Sequence, residues 1–135
     1  MKFLDSDGNE HSKDLNYAKY KRSRSSRSKL ANSLYDKIVE IFPNYDILEE
    51  FPCVGLKPIL FMDFLILGAG IRMAFEADGT QHKKYTPYFH GSKANFIKAK
   101  MNDVRKNEWA EFNNIRIFRV ESDKDIDMLL ENINE

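Results

Sequence analysis

Ile59-Leu60-Phe61-Met62-Asp63-Phe64-Leu65-Ile66-Leu67-Gly68-Ala69-Gly70-Ile71-Arg72-Met73-Ala74-Phe75-Glu76-Ala77-Asp78 decides the fold of this chain. Two apolar, strand-like runs, 59–67 and 71–78, flank a Gly-Ala-Gly turn, which predicts a β-hairpin. The first run is apolar except for Asp63, and the second ends in Glu76 and Asp78. A lone carboxylate in such surroundings costs several kcal/mol unless it is paired or bound to a cation. Alternate strand residues share a face, so Glu76 and Asp78 lie on one side, and the turn brings Asp63 towards them. His82 follows Asp78 by four positions, just past Gly79. Three acids and a histidine in this order suggest a divalent-metal site. Hard cations such as Mg²⁺ take oxygen ligands and keep several waters, so two or three carboxylates suffice.

Outward from this hairpin the periodicities give the remaining elements. Leu30, Leu34, Ile38, Ile41 and Phe42 recur at helical spacing, and Pro43 marks the stop. Ile47 to Val54 reads as a strand, broken by Gly55 and Pro58. Residues 80–92 read as a loop. Lys93 to Asn113 reads as a long helix burying Ile97, Met101, Val104 and Phe112, ended by Asn113-Asn114. Ile115 to Val120 reads as a strand, and Ile126, Leu129, Leu130 and Ile133 predict a closing amphipathic helix. The order is α-β-β-β-α-β-α, an α/β class with a central mixed β-sheet flanked by helices. Residues 1–27 are set apart as a flexible basic arm and 28–135 as a single domain, the polar first dozen residues carrying few apolar anchors.

Composition narrows the function. The 135 residues are 42% hydrophobic and 31% charged, enough for one ordinary core. No apolar run is long enough to predict a membrane span. The single cysteine, Cys53, offers neither a disulfide framework nor a cysteine-based zinc site, and fits a reducing, cytoplasmic setting. Formal net charge is +0, but it is unevenly distributed. Lys13 to Lys29 holds seven basic residues against Asp14 alone, Arg22, Arg24 and Arg27 among them. Lys83 to Lys106 holds Lys83, Lys84, Lys93, Lys98, Lys100, Arg105 and Lys106 against Asp103 alone. Two such blocks suit a polyanion, with phosphate contacts of little base discrimination. Tyr85, Tyr88 and Phe89 lie within the second block and suit either base stacking or loop anchoring. No GxGxxG or P-loop pattern points to a nucleotide cofactor.

Taken in order, Met62-Asp63-Phe64, Glu76 to His82, Asp103 to Trp109 and Asn114 to Val120 resemble the PD-(D/E)XK nuclease superfamily. The narrower likeness is to very-short-patch-repair endonucleases and to phage homing endonucleases of the EDxHD type. It covers about residues 28–120 and implies a restriction-endonuclease-like fold. It also implies metal-dependent (Mg²⁺ or Mn²⁺) hydrolysis of DNA phosphodiesters. By that resemblance Asp63, Glu76 and Asp78 hold metal, Asp78 stands where the motif lysine is usual, and His82 takes over part of the lysine's work. Asp103, Lys106, Gln81 and His90 are accessory candidates. Arg22, Arg24, Arg27, Lys83, Lys84, Lys98, Lys100 and Arg105 are candidates for holding DNA. Ala31 stands where many relatives carry a helix glutamate. Glu49 and Glu50 are its possible replacements, at most one of them, since neighbouring strand residues face opposite ways. The expected substrate is duplex, mismatched or branched DNA, cut by a nicking, homing-type or structure-specific enzyme. A Holliday-junction resolvase and a non-catalytic DNA-binding subunit on the same fold are the alternatives. With no added specificity domain in view, a homodimer is one way to extend recognition.

Overall fold

The computed structural model describes residues 1–78 and 92–135. A small antiparallel hairpin comes first, β1 (Lys2–Leu4) with β2 (Glu10–Ser12). A short 3₁₀ turn (Arg24–Ser26) leads into α1 (Lys29–Ile41). Then come β3 (Asp46–Pro52), β4 (Phe61–Gly68), β5 (Ile71–Ala77), α2 (Lys93–Phe112) and β6 (Arg116–Val120). Two one-turn helices, α3 (Asp123–Asp127) and α4 (Leu129–Ile133), close the chain where a single helix is expected from the sequence. The main sheet has the order β3-β4-β5-β6. Its first three strands are antiparallel, and β6 joins β5 in parallel. The protein is therefore α/β, with a four-stranded mixed sheet flanked by helices.

The expected hairpin is β4–β5, in register Gly68↔Ile71 through Phe64↔Phe75. Its two turn residues, Ala69 and Gly70, have φ of 49° and 75°. Positive φ at both positions gives the turn the twist of the strands it joins, at a small cost for alanine. The two faces of the sheet carry separate cores. On one, Phe64, Ile66 and Phe75 pack with Leu34 and Ile38 of α1 and with Ile126, Leu129 and Ile133. Ser28 caps α1 by accepting from the Ala31 N–H at 3.1 Å. On the other face Leu48, Phe51, Leu65 and Ala74 pack with Trp109 and Ala110 of α2. Cys53 is fully buried there, and burial pushes its thiol up to about 12, so it packs as a small hydrophobe.

Helix α2 departs from the sequence reading. Its buried residues are Trp109 and Ala110, whereas Ile97, Met101, Val104 and Phe112, expected inside, are exposed. The helix has apolar residues on two faces, so periodicity alone does not choose between them. Specific bonds do. The Trp109 indole N–H donates to the Val54 carbonyl at 2.9 Å, and the Lys106 ammonium reaches Glu76. These turn the Trp109 face inward and the aliphatic stripe outward.

The N-terminal segment also contributes to the core. Phe3 is fully buried, stacked 5.5 Å from Trp109 and 5.6 Å from Phe51. The Asp5 carboxylate accepts the Asp7 and Asn9 N–H groups, each at 2.9 Å, which shapes the loop around Gly8. Buried Asn113, capping α2, exchanges hydrogen bonds with Leu4, accepting from its N–H at 2.6 Å and donating to its carbonyl at 3.0 Å. Tyr20 is buried as well. One aromatic anchor and one amide thus fasten a stretch whose polar composition predicts looseness. Phe3→Ala should lower stability by about 3 kcal/mol, measured by urea denaturation. An unchanged midpoint would show that the hairpin adds nothing to the fold.

Candidate functional site

Regular pairing between β4 and β5 ends at Phe64↔Phe75. Beyond that point β5 continues alongside β6, with Glu76 opposite Arg119 and Ala77 opposite Val120. The Ala77 N–H donates to the Asp63 carboxylate at 2.9 Å instead of to a strand carbonyl. The side chain of Asp63 therefore occupies the opening between two diverging strands. Glu76, only 2% exposed, lies within hydrogen-bonding reach of Asp63. The Lys106 ammonium approaches from α2 to 2.8 Å of Glu76 Oε1. Of the residues read from the sequence, the structure brings these three together.

Their electrostatics are unbalanced. Buried Glu76 and half-buried Asp63 lie near one ammonium, which bonds Glu76. Burial, followed by repulsion from Asp63, raises Glu76 to about 7 despite the lysine. Burial also raises Asp63, with the Ala77 N–H and Lys106 only partly opposing it. Burial would lower Lys106, but attraction to Glu76 and Asp63 outweighs it, so the ammonium is held charged above its ordinary range. Two ionised acids would leave one net negative charge in a poorly solvated place.

Asp78 is buried two residues further along β5, with Arg119 Nε 3.5 Å from its Oδ2. Arg119 also donates to the Asn107 side chain at 2.6 Å and to the Asp103 carbonyl at 3.4 Å. The sequence reading did not single out Arg119; its signal is the register position on β6 beside Glu76. Among the described residues, no three His, Cys, Asp or Glu side chains converge closely enough to hold one metal ion. Gln81, His82, Lys83, Lys84 and His90 lie outside the described residues.

The structure separates the two glutamates of β3. Glu49 is buried and engaged by Arg27, at 2.5 Å and 3.0 Å, and by the Arg22 N–H at 2.7 Å. Glu50, at φ 49°, is exposed at a cleft of about 180 Å³ that Glu49, Asp63, Ala77, Ser28 and Ala31 also line. Its charge adds to the pressure raising Asp63. Of the arginines expected to hold DNA, Arg27 forms this buried pair and lies 4.0 Å from the Tyr35 ring. Arg24 forks onto Asp36 at 2.7 Å and 3.0 Å, and Arg22 reaches Glu50 at 2.8 Å. On α2, Lys98 is exposed, Lys100 lies 5.7 Å from the Phe96 ring, and Arg105 donates to the Lys57 carbonyl. A larger cleft, about 520 Å³, lies between the first hairpin and α2 and contains none of Asp63, Glu76 or Lys106.

Comparison of the chain with protein-family models, characterised proteins and solved structures gives no match.

The site has a pH signature. Folded Glu76 keeps its proton up to about pH 7, whereas an unfolded glutamate releases it near 4.5. Between these values the native state binds more protons, so stability falls as pH rises through the window. Without divalent cations, this group should make urea stability at pH 8 lower than at pH 5 by on the order of 2 kcal/mol. Glu76→Gln should flatten that dependence. A variant with the parental slope would remove Glu76 as its source.

Proposed function

We propose that the chain is a divalent-metal-dependent endonuclease acting on DNA phosphodiesters, built on a restriction-endonuclease-like fold. The observation that carries the reading is buried Glu76 beside half-buried Asp63, with Lys106 at 2.8 Å from Glu76, set where β4 and β5 part. A structural ion pair needs one acid per base. Here a second, half-buried acid is added and both carboxyl groups are raised, a pattern typical of sites that await a cation or substrate. The order α1-β3-β4-β5-α2-β6, with β6 parallel to β5, is compatible with the proposed fold.

The donor set fits a hard cation. Asp63 and Glu76 supply carboxylate oxygens, Glu50 stands at the same cleft, and added positive charge would relieve their mutual repulsion. When bound, Mg²⁺ or Mn²⁺ would polarise a phosphate oxygen and lower the pKa of a bound water. The Ala77 N–H fixes the orientation of Asp63. Lys106 orients Glu76 and places a permanent positive charge where negative charge develops on phosphate. It would thus supply from α2 the cation that Asp78 replaces in the motif. Arg119 holds Asp78 and ties β6 to α2, keeping Lys106 in place. Asp78 would then serve by position rather than as the third ligand, and His82 remains the candidate for proton transfer.

One observation favours the second reading, a DNA-binding module without catalysis. Every acid of the cluster already has an internal partner: Asp63 the Ala77 N–H, Glu76 the Lys106 ammonium, Asp78 Arg119. The raised carboxyls weigh against it, because a retired site gains nothing from a second, half-buried acid.

Supercoiled plasmid and a labelled four-way junction, each with Mg²⁺, Mn²⁺ or EDTA, would separate these readings. The parent should cleave only with metal, and Asp63→Ala and Lys106→Met should each lose at least ~100-fold in rate. Preference for the junction would identify a resolvase, and preference for linear or supercoiled duplex a nicking or homing-type enzyme. Tight DNA binding with no cleavage under any metal, and no calorimetric Mn²⁺ binding that Asp63→Ala abolishes, would leave the non-catalytic module.

A further inference from the structure

The outward face of α2 suits a partner. Ile97, Met101, Val104 and Phe112 are 50%, 61%, 53% and 46% exposed. Their spacing places them along one side of a helix, facing away from Lys106. Single exposed apolar residues are ordinary, but a row along most of a 20-residue helix is not. The flanking charges are polarised along the axis. Lys93, Lys98 and Lys100 lie in the N-terminal half, and Glu108 and Glu111 in the C-terminal half.

We propose that a second copy of this chain covers the stripe, the two α2 helices lying antiparallel about a two-fold axis beside Val104. In that arrangement Ile97 meets Phe112 of the second copy. Lys100 meets Glu108 and Glu111 of the second copy, and the same contacts repeat by symmetry. A parallel pairing would set lysines against lysines. A nucleic-acid surface would not place Glu108 beside an aliphatic row. Phe112, Arg105 and Glu108 also line the cleft of about 520 Å³, which extends the contact past the helix. Lys106 points the other way, towards Glu76, so the pairing leaves the acidic cluster uncovered. The inference does not depend on the nuclease reading. An interface built mainly from one helix pair is small, so self-association should be moderate rather than obligate.

Sedimentation equilibrium of the full chain from ~1 µM to ~500 µM spans the range expected of such an interface. We expect a concentration-dependent dimer, weakened at least tenfold by Met101→Asp and by Val104→Asp without change in circular dichroism or melting. Glu108→Lys should also weaken it, and adding Lys100→Glu should restore it, which a nonspecific apolar contact would not do. A monomer throughout, or a dimer indifferent to both aspartate substitutions, would overturn the proposal. So would a monomer whose DNA binding, rather than its mass, responds to Met101→Asp, which would assign the stripe to nucleic acid.

Discussion

The arrangement around the sheet's open end turns on charge taken out of water. Asp63 and Glu76 sit on adjacent strands, and among the described residues Lys106 of α2 is the cation that reaches Glu76. Removing that lysine would leave two acids without compensation, and moving it would turn α2 about its axis. The rotation of the helix, the burial of Trp109 and the exposure of the aliphatic stripe are therefore linked to one ion pair and one indole hydrogen bond. Strand divergence is part of the same constraint. Continued pairing beyond Phe64↔Phe75 would supply the Ala77 N–H with a backbone acceptor, and Asp63 would lose the donor that fixes it.

A second charged knot organises the other side of the opening. Arg27 and Glu49 are almost completely buried together, and Arg22 adds its backbone N–H to the same carboxylate. A buried pair of this kind adds little net stability, but loss of one partner is expensive, on the order of 3–5 kcal/mol. Its structural effect is to hold the segment before α1 against β3. Part of a basic block that composition assigns to phosphate binding is thereby spent on internal acids. Glu49 and Glu50 both line the cleft beside Asp63, but Glu49 is buried on Arg27 whereas Glu50 is exposed and reaches Arg22.

Alternation of apolar and charged residues made much of this legible. The β4–β5 hairpin follows from two apolar runs around Gly68-Ala69-Gly70, and α1 follows from Leu34, Ile38 and Phe42 with Pro43 as the stop. Asp63 and Glu76 stand out for the same reason, as acids within two largely apolar runs. Phe3 carried no comparable signal. One buried aromatic among polar neighbours has no period, and its partners Phe51 and Trp109 are distant in sequence. Helix α2 was misread because Ile97, Met101, Val104 and Phe112 form a good apolar stripe, and a stripe says that something covers it, not what.

The sequence by itself determined the element order, the hairpin and the identity of the acids, because these depend on local spacing and on what each side chain can do in water. Tertiary structure decided which of those groups meet. Lys106 is 30 residues from Glu76 and Arg27 is 22 residues from Glu49, and only packing brings either pair together. It also decided that Glu49 pairs with Arg27 while Glu50 reaches Arg22, that Asp78 goes to Arg119, and which side of α2 faces the sheet. Those choices rest on side-chain volume and on the cost of leaving a buried charge or polar group without a partner, which is settled only when distant segments are in contact.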